Sequence, residues 1–150
     1  MLKFFLKFIH NFRRYLAWLL NQEGSLGERA RGLAVGVFSG CLPLFGFQMG
    51  VGILLATFFR GNRLLAATGT WISNPLTYFP LYWFNYQFGC LILDNPSNNT
   101  TFGQIRQVDF LYRGGDFIIR LFLGSISIGI LLGLLTGIMT YIYLRLFEKN

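Results

Sequence analysis

The sequence has few of the residues that most catalytic and metal-binding sites need. Only 13 % of its 150 residues are charged, and it contains a single histidine, His10. Its two cysteines, Cys41 and Cys90, lie singly in apolar surroundings, where we expect buried, reduced thiols. The sequence contains no Ser–His–acid set, phosphate-binding loop or nucleotide fingerprint. We therefore expect no enzymatic activity, no cofactor and no metal.

Charge is missing altogether from three long segments, residues 32–59, 64–93 and 121–144. Each segment exceeds the roughly 20 residues that a helix needs to cross a bilayer. Hydrophobic residues make up 53 % of the chain, and a soluble domain of this size could not bury so much apolar surface. The composition predicts an all-α integral membrane protein with one membrane domain over residues 25–146.

The positive charge is concentrated in the first part of the chain. Eight of the 13 Lys and Arg residues precede Leu64 and lie close to apolar segments. This distribution is typical of the anionic, cytoplasmic face of a bilayer, so we expect membrane lipids as partners and no nucleic acid.

Residues 1–22 form a different kind of segment. Lys3, Lys7, His10 and Arg14 recur at a spacing of three or four and mark one stripe of a helix whose other faces are apolar. This pattern predicts a basic amphipathic helix lying in the membrane interface. An organellar transit peptide has the same features and is the alternative interpretation.

The first uncharged segment, residues 32–59, contains a helix break. Pro43 removes a backbone donor, Gly46 permits unusual dihedral angles, and Gln48 adds a polar amide. The pieces on either side of the break are too short for each to cross the bilayer. A re-entrant hairpin with its tip near Pro43–Gly46 is therefore predicted.

The placement of arginines favours this hairpin over a single crossing. If the segment returns to its starting side, Arg60 and Arg63 join Arg29 and Arg31 on the cytoplasmic side. A tip of non-helical backbone inside a bilayer needs protein or water around it, so we expect the tip to pack against another part of the protein or a partner.

The second uncharged segment, residues 64–93, is predicted to be a broken span. Pro75 interrupts the helix, and Asn74 and Thr77 can form hydrogen bonds with the backbone groups that the break frees. Pro80 suits the first turn of the helix that follows. Two readings stay open, a ligand site at paired helix breaks and a kinked span whose polar groups are satisfied internally.

The third uncharged segment, residues 121–144, is predicted to be a conventional span that follows a polar loop over residues 94–120. Arg145 and Lys149 come after it, so we expect both termini to be cytoplasmic. Small residues spaced by four permit close helix contacts in lipid. Two such faces are candidates for contacts within the protein, for a homo-oligomer or for a membrane protein partner: Gly32, Gly36 and Gly40, and Gly129, Gly133 and Gly137.

Three linked motifs of this sequence resemble a known family. They are GVFSGCLPLFGFQMGVG, the turn Arg60-Gly61-Asn62-Arg63, and TWISNPLTYFPLYW. They resemble the bacterial membrane family catalogued as domain of unknown function 2062, over roughly residues 25–145. The matching positions are Pro43, Gly46, Gln48, Asn62, Thr70, Trp71, Asn74, Pro75, Thr77 and Pro80. The resemblance implies a bacterial inner-membrane protein and assigns no activity.

Two hypotheses about function follow from the uncharged polar residues at the two breaks. In the first, the protein binds or translocates an anionic amphiphile, such as a lipid, at a polar seam between two broken helices. The ligand-binding residues would be Pro43, Gly46, Gln48, Arg60, Asn62, Arg63, Asn74, Pro75, Thr77 and Pro80. In the second, the protein is a small membrane scaffold or adaptor without transport activity, and the polar seam is structural.

Overall fold

A computed structural model describes residues 22–93 and 114–147, whose regular structure is entirely helical, with no strand. This confirms the all-α prediction for that part of the chain. The described α-helices are α1 (Leu26–Cys41), α2 (Gln48–Phe58), α3 (Arg63–Gly69), α4 (Tyr78–Ile92) and α5 (Gly114–Phe147). One turn of 3₁₀ helix, Thr70–Ile72, extends α3.

Two sequence predictions fall largely outside the described residues. The interfacial helix predicted for residues 1–22 lies there, and so does most of the polar loop predicted for residues 94–120. The last residues of that loop belong to α5, which begins at Gly114 and extends past both ends of the predicted 121–144 segment.

Helix α1 begins at a capping box and ends ahead of a proline. The Ser25 hydroxyl accepts a hydrogen bond from the Glu28 amide at 3.3 Å, and the Glu28 carboxylate accepts one from the Ser25 amide at 2.7 Å. Leu42 is extended because Pro43 disfavours helical dihedrals in the preceding residue. Gly46 has a φ of 86°, a left-handed conformation that lets the chain turn before α2 begins. The predicted break at Pro43–Gly46 is therefore present.

Helices α1 and α2 form a hairpin whose two ends meet. The Asn62 amide donates a hydrogen bond to the Glu28 carbonyl at 2.8 Å, and the Asn62 side chain donates to the Glu23 carbonyl at 2.8 Å. The Arg31 guanidinium donates to the Arg60 carbonyl at 3.2 Å. These contacts bring the residues that follow α2 back to the start of α1.

The glycine face of α1 contacts the backbone of α3 and the turn before it. A Cβ atom on Gly36 would lie 2.8 Å from the Ala66 Cα, and a Cβ on Gly32 would lie 2.8 Å from the Asn62 amide nitrogen. At Gly40 the added atom would meet the Ile72 side chain at 2.6 Å. The order of these contacts shows that α1 and α3 run in parallel, and at Gly36 their backbones are in direct contact.

Helix α5 packs along α4 with its first half and along α1 with its second. Gly124 lies against the backbone of Asn85 in α4, whereas Gly129 lies against Phe38 in α1. Gly137 lies farther toward the start of α1, beside Ala30, so the two helices are antiparallel. Both predicted glycine faces thus contact helices of the same chain, and the prediction that they bind a partner stays a prediction.

In the described part of the chain, α5 is the one helix that is long and apolar enough to cross a membrane. Its 34 residues correspond to about 51 Å at 1.5 Å per residue. Helix α2 is also apolar but has only 11 residues.

The contact between α1 and α3 predicts unequal effects of one substitution at two glycines. Gly36→Ala inserts a methyl group into the Ala66 backbone, and overpacking of this kind costs about 1–3 kcal/mol. Gly50→Ala, in α2, meets nothing within 4 Å and is expected to be neutral or slightly stabilising because alanine favours helix. Thermal unfolding of both variants in detergent measures the difference. Equal melting temperatures would contradict the close contact.

Candidate functional site

The fold sorts the described charged residues to two ends. One end, which we term the basic end, carries the charges that flank the α1–α2 hairpin and, because α5 is antiparallel to α1, Arg145 as well: Glu23, Glu28, Arg29, Arg31, Arg60, Arg63 and Arg145. Asp116 and Arg120 lie toward the other end of α5. Between them, the uncharged residues 121–144 span about 36 Å.

The turn after α2 holds an arginine in a conformation that usually belongs to glycine. The Gly61 amide donates to the Ala56 carbonyl at 2.7 Å and the Arg60 amide donates to the Thr57 carbonyl at 3.3 Å. This pair of bonds is the Schellman motif, in which the residue at the Arg60 position is left-handed and most often glycine. Arg60 has a φ of 51°, in the left-handed region that costs an L-residue about 1–2 kcal/mol.

The next two residues of this turn have structural roles. Gly61 lies so close to α1 that an added Cβ would be 2.7 Å from the Gly32 amide nitrogen. The Asn62 side chain caps α3 by accepting a hydrogen bond from the Leu65 amide at 2.9 Å, while its amide group bonds to Glu23. The polar groups of Asn62 are therefore committed to backbone, although the sequence places this residue in the ligand site.

A cavity of about 290 Å³ opens between the hairpin ends; we term it the basic-end cavity. Its lining combines both signs of charge with a few small or polar residues: Glu23, Glu28, Ala56, Thr57, Arg60, Gly61, Asn62 and Arg63. Among the described residues, the guanidinium groups of Arg60 and Arg63 form no hydrogen bond or ion pair. Two exposed cations are thus held beside a cavity without a partner from the described chain.

The second break, around residues 73–77, is closed by its own side chains. The Asn74 side-chain oxygen accepts hydrogen bonds from the amides of Leu76 at 2.9 Å and Thr77 at 3.1 Å. The Thr77 hydroxyl donates to the Ile72 carbonyl at 2.6 Å and accepts from the Asn74 amide at 2.9 Å. The predicted roles of Asn74 and Thr77 as partners of freed backbone groups are present, and they favour the internally satisfied reading of this motif.

Gln48 joins the two breaks. Its side-chain NH₂ donates to the Tyr78 hydroxyl at 3.1 Å and, more weakly, to the Ser73 carbonyl at 3.4 Å. Gln48 is only 7 % exposed, and its side-chain oxygen is buried without a hydrogen-bond partner among the described residues. We term the contact of Gln48, Ser73, Asn74, Thr77 and Tyr78 the turn seam.

The prolines and Gly46 shape the backbone around the turn seam. Pro43 is buried, Pro75 is exposed, and Pro80 occupies the first turn of α4, where its missing donor is tolerated. Beside them, the ring of Phe45 packs edge-on against Tyr82, with 5.4 Å between the ring centroids.

A buried asparagine was missed at the sequence level. Asn85, which is fully buried, donates from its side chain to the Cys41 carbonyl at 3.0 Å and the Ser125 hydroxyl at 2.9 Å. The Tyr82 hydroxyl donates to the Leu42 carbonyl at 3.1 Å. These bonds satisfy the last carbonyls of α1, which lack helical partners. The detectable signal was the spacing of Tyr82 and Asn85 along one face of α4.

The sequence-predicted site residues therefore separate into two groups. Those near the breaks surround the turn seam, whereas Arg60, Asn62 and Arg63 lie at the basic end. The 11 residues of α2 separate the two groups by about 16 Å. A small headgroup cannot contact both at once.

The chain matches a protein-family model over most of its length. The model described as "Uncharacterized protein conserved in bacteria (DUF2062)" matches residues 9–150. No curated protein and no solved structure matches the chain.

The closed turn at residues 73–77 predicts different effects for two replacements of Asn74. Asn74→Ala leaves the Leu76 and Thr77 amides without their acceptor and should lower the unfolding free energy by about 1–2 kcal/mol. Asn74→Ser keeps an uncharged acceptor oxygen at the start of the same turn and should lose less stability than Asn74→Ala. Thermal unfolding in detergent compares them, and wild-type stability of Asn74→Ala would refute the role in the turn.

Proposed function

The chain belongs to the bacterial family of uncharacterised proteins DUF2062, and from that premise we propose that it is a multi-pass membrane protein that binds the anionic headgroup of an amphiphile. The headgroup would occupy the basic-end cavity, and the apolar tail would follow the outer surface of the helices. The observation that carries the proposal is the pair of uncommitted guanidinium groups, Arg60 and Arg63, at the charged end of an otherwise uncharged helix bundle.

The outer surface supports contact with lipid. Large apolar side chains are exposed on α2, α4 and α5, among them Leu54, Phe84, Leu134 and Met139, the last being 70 % exposed. The uncharged stretch of about 36 Å is long enough to cross a bilayer core of about 30 Å. In this proposal the basic end faces the cytoplasm of the bacterial inner membrane, following the excess of arginine there.

The α1–α2 hairpin is proposed to re-enter the membrane. Helices α1 and α2 have 16 and 11 residues, about 24 and 16 Å, so neither reaches across a 30 Å core. Both ends of the hairpin lie at the basic end, which keeps Arg31 and Arg60 on one side. The turn seam would then lie within the bilayer, where its freed backbone groups need the internal hydrogen bonds that Asn74 and Thr77 supply.

The basic-end cavity has the chemistry that an anionic headgroup requires. Guanidinium groups bind phosphate through paired, charge-assisted hydrogen bonds, and those of Arg60 and Arg63 are uncommitted. Phe58, Phe59 and Leu64, the neighbours of these arginines in the chain, are exposed, with Phe58 82 % exposed. Apolar surface beside a phosphate-binding group is the arrangement that a lipid needs.

The proposal covers binding and omits translocation through the turn seam. Asn74 and Thr77 bond to their own turn, so they are poorly suited to line a route for a headgroup. The scaffold hypothesis has less support, because both glycine faces already contact helices of the same chain.

The re-entrant hairpin predicts a pattern of cysteine accessibility. In a background with Cys41→Ala and Cys90→Ala, single cysteines at Glu23, Arg63 and Arg145 should react with an impermeant maleimide from the cytoplasmic side of membrane vesicles. Asp116→Cys should react from the opposite side. Labelling of Glu23→Cys and Arg63→Cys from opposite sides would overturn the hairpin.

The left-handed conformation of Arg60 predicts that its replacement by glycine stabilises the fold but weakens the binding of lipid. Arg60→Gly removes the strain of the left-handed conformation and should stabilise the fold by about 1 kcal/mol. The same change removes one guanidinium and should weaken binding of an anionic phospholipid about tenfold or more. Melting temperature and native mass spectrometry with added phosphatidylglycerol give the two readings. Arg145→Gln removes one charge from the basic end without touching the cavity and is the control; equal losses in both variants would indicate general charge attraction only.

A further inference from the structure

The basic-end cavity also contains two carboxylates, which a purely anionic ligand does not explain. Glu23 and Glu28 line the same cavity as Arg60 and Arg63. Among the described residues these four side chains form no ion pair with one another. The cavity therefore contains two positive and two negative side chains that are not paired with one another, and each can form further hydrogen bonds.

The two carboxylates differ in how many of their oxygens already accept a hydrogen bond. One oxygen of Glu28 accepts the Ser25 amide in the capping box, and its other oxygen has no partner among the described residues. The carboxylate of Glu23 has none either, since the bond to Asn62 uses the Glu23 backbone carbonyl. Three carboxylate oxygens are thus available to a donor in the cavity.

The carboxylates disfavour one class of ligand and favour another. A headgroup with negative charge alone would gain from the arginines but would be repelled by Glu23 and Glu28 at short range. A headgroup with a phosphate and a primary ammonium would satisfy both pairs, because the ammonium has three N–H donors. A trimethylammonium group has no N–H and cannot form these bonds.

The size of the cavity suits one headgroup. Its volume of about 290 Å³ lies at the lower limit of small-molecule sites, which run from about 300 to 1,000 Å³. This open cavity has room for a phosphate with a short aminoalkyl arm, while acyl chains would remain outside along Phe58 and Leu64.

We infer that the basic-end cavity selects a zwitterionic phospholipid headgroup with a primary ammonium, of the phosphoethanolamine class, with Arg60 and Arg63 on the phosphate and Glu23 and Glu28 on the ammonium. This inference rests on the proposed function, because it assigns the headgroup for the same cavity.

The test is native mass spectrometry of the detergent-solubilised protein titrated with three lipids that share their acyl chains. The lipids are phosphatidylethanolamine, phosphatidylglycerol and phosphatidylcholine. Wild-type protein should bind phosphatidylethanolamine about tenfold more tightly than phosphatidylcholine, the fold-change of one charge-assisted hydrogen bond. The double variant Glu23→Gln/Glu28→Gln should lose this preference and bind phosphatidylglycerol more tightly than the wild type, because the repulsion from the two carboxylates is removed.

The chosen variants separate the inference from the proposed function. Glutamine at residue 28 still permits a capping box, so α1 should form normally, and Asp116→Asn is the control for loss of one carboxylate elsewhere. A wild-type preference for phosphatidylglycerol, or an unchanged preference in the double glutamine variant, would overturn the inference alone. If Arg60→Gln/Arg63→Gln binds all three lipids as the wild type does, the proposed function itself fails.

Free O-phosphoethanolamine distinguishes the two sources of this chemistry. We expect it to displace phosphatidylethanolamine only when present in large excess, because it lacks the acyl chains that contact the helix surface. Binding of the free compound as tight as that of the lipid would assign the cavity to a soluble ligand and overturn the lipid assignment.

Discussion

Direct backbone contact between α1 and the segment that follows α2 is the constraint on which the rest of the fold depends. Glycine at positions 32, 36 and 40 leaves the contacting face of α1 without Cβ atoms, so that the turn at Gly61–Asn62 can lie on the start of α1. The Asn62 amide then reaches the Glu28 carbonyl and closes the hairpin. The basic-end cavity exists because of that closure, since its two walls come from the two ends of the hairpin. A larger side chain in this face would separate those walls.

The apolar segments contain polar residues because their helices are interrupted. Each interruption frees amides and carbonyls that need partners wherever water is scarce. Asn74 serves the amides of the second break, while Tyr82 and Asn85 serve the last carbonyls of α1. A sequence motif that resembles a ligand site can therefore have a structural role, in which its side chains bond to the backbone groups that a helix break leaves free. Arg60 and Arg63 differ, because their side chains bond to no backbone group in the described chain.

Much of the fold could be predicted from local chemistry, whereas the site depends on distant contacts. Pro43 and Pro75 mark helix breaks because proline acts on its immediate neighbours. A glycine face predicts close packing without specifying the partner, so the pairing of α1 with α3 was not foreseen. Sequence reasoning grouped Gln48 with Arg60, and the 11 residues of α2 keep them apart. Glu23 was overlooked because only hairpin closure brings it to the arginines.

The length of α5 would couple the proposed membrane orientation to the thickness of the bilayer. In that orientation the uncharged stretch of about 36 Å is longer than a hydrocarbon core of about 30 Å, and a tilt of the helix would keep Arg120 and Arg145 out of the acyl chains. Because Gly124 and Gly129 lie directly against α4 and α1, both helices would share that tilt. A thinner or thicker membrane would therefore reorient the whole bundle, and with it the depth at which Arg60 meets the lipid surface.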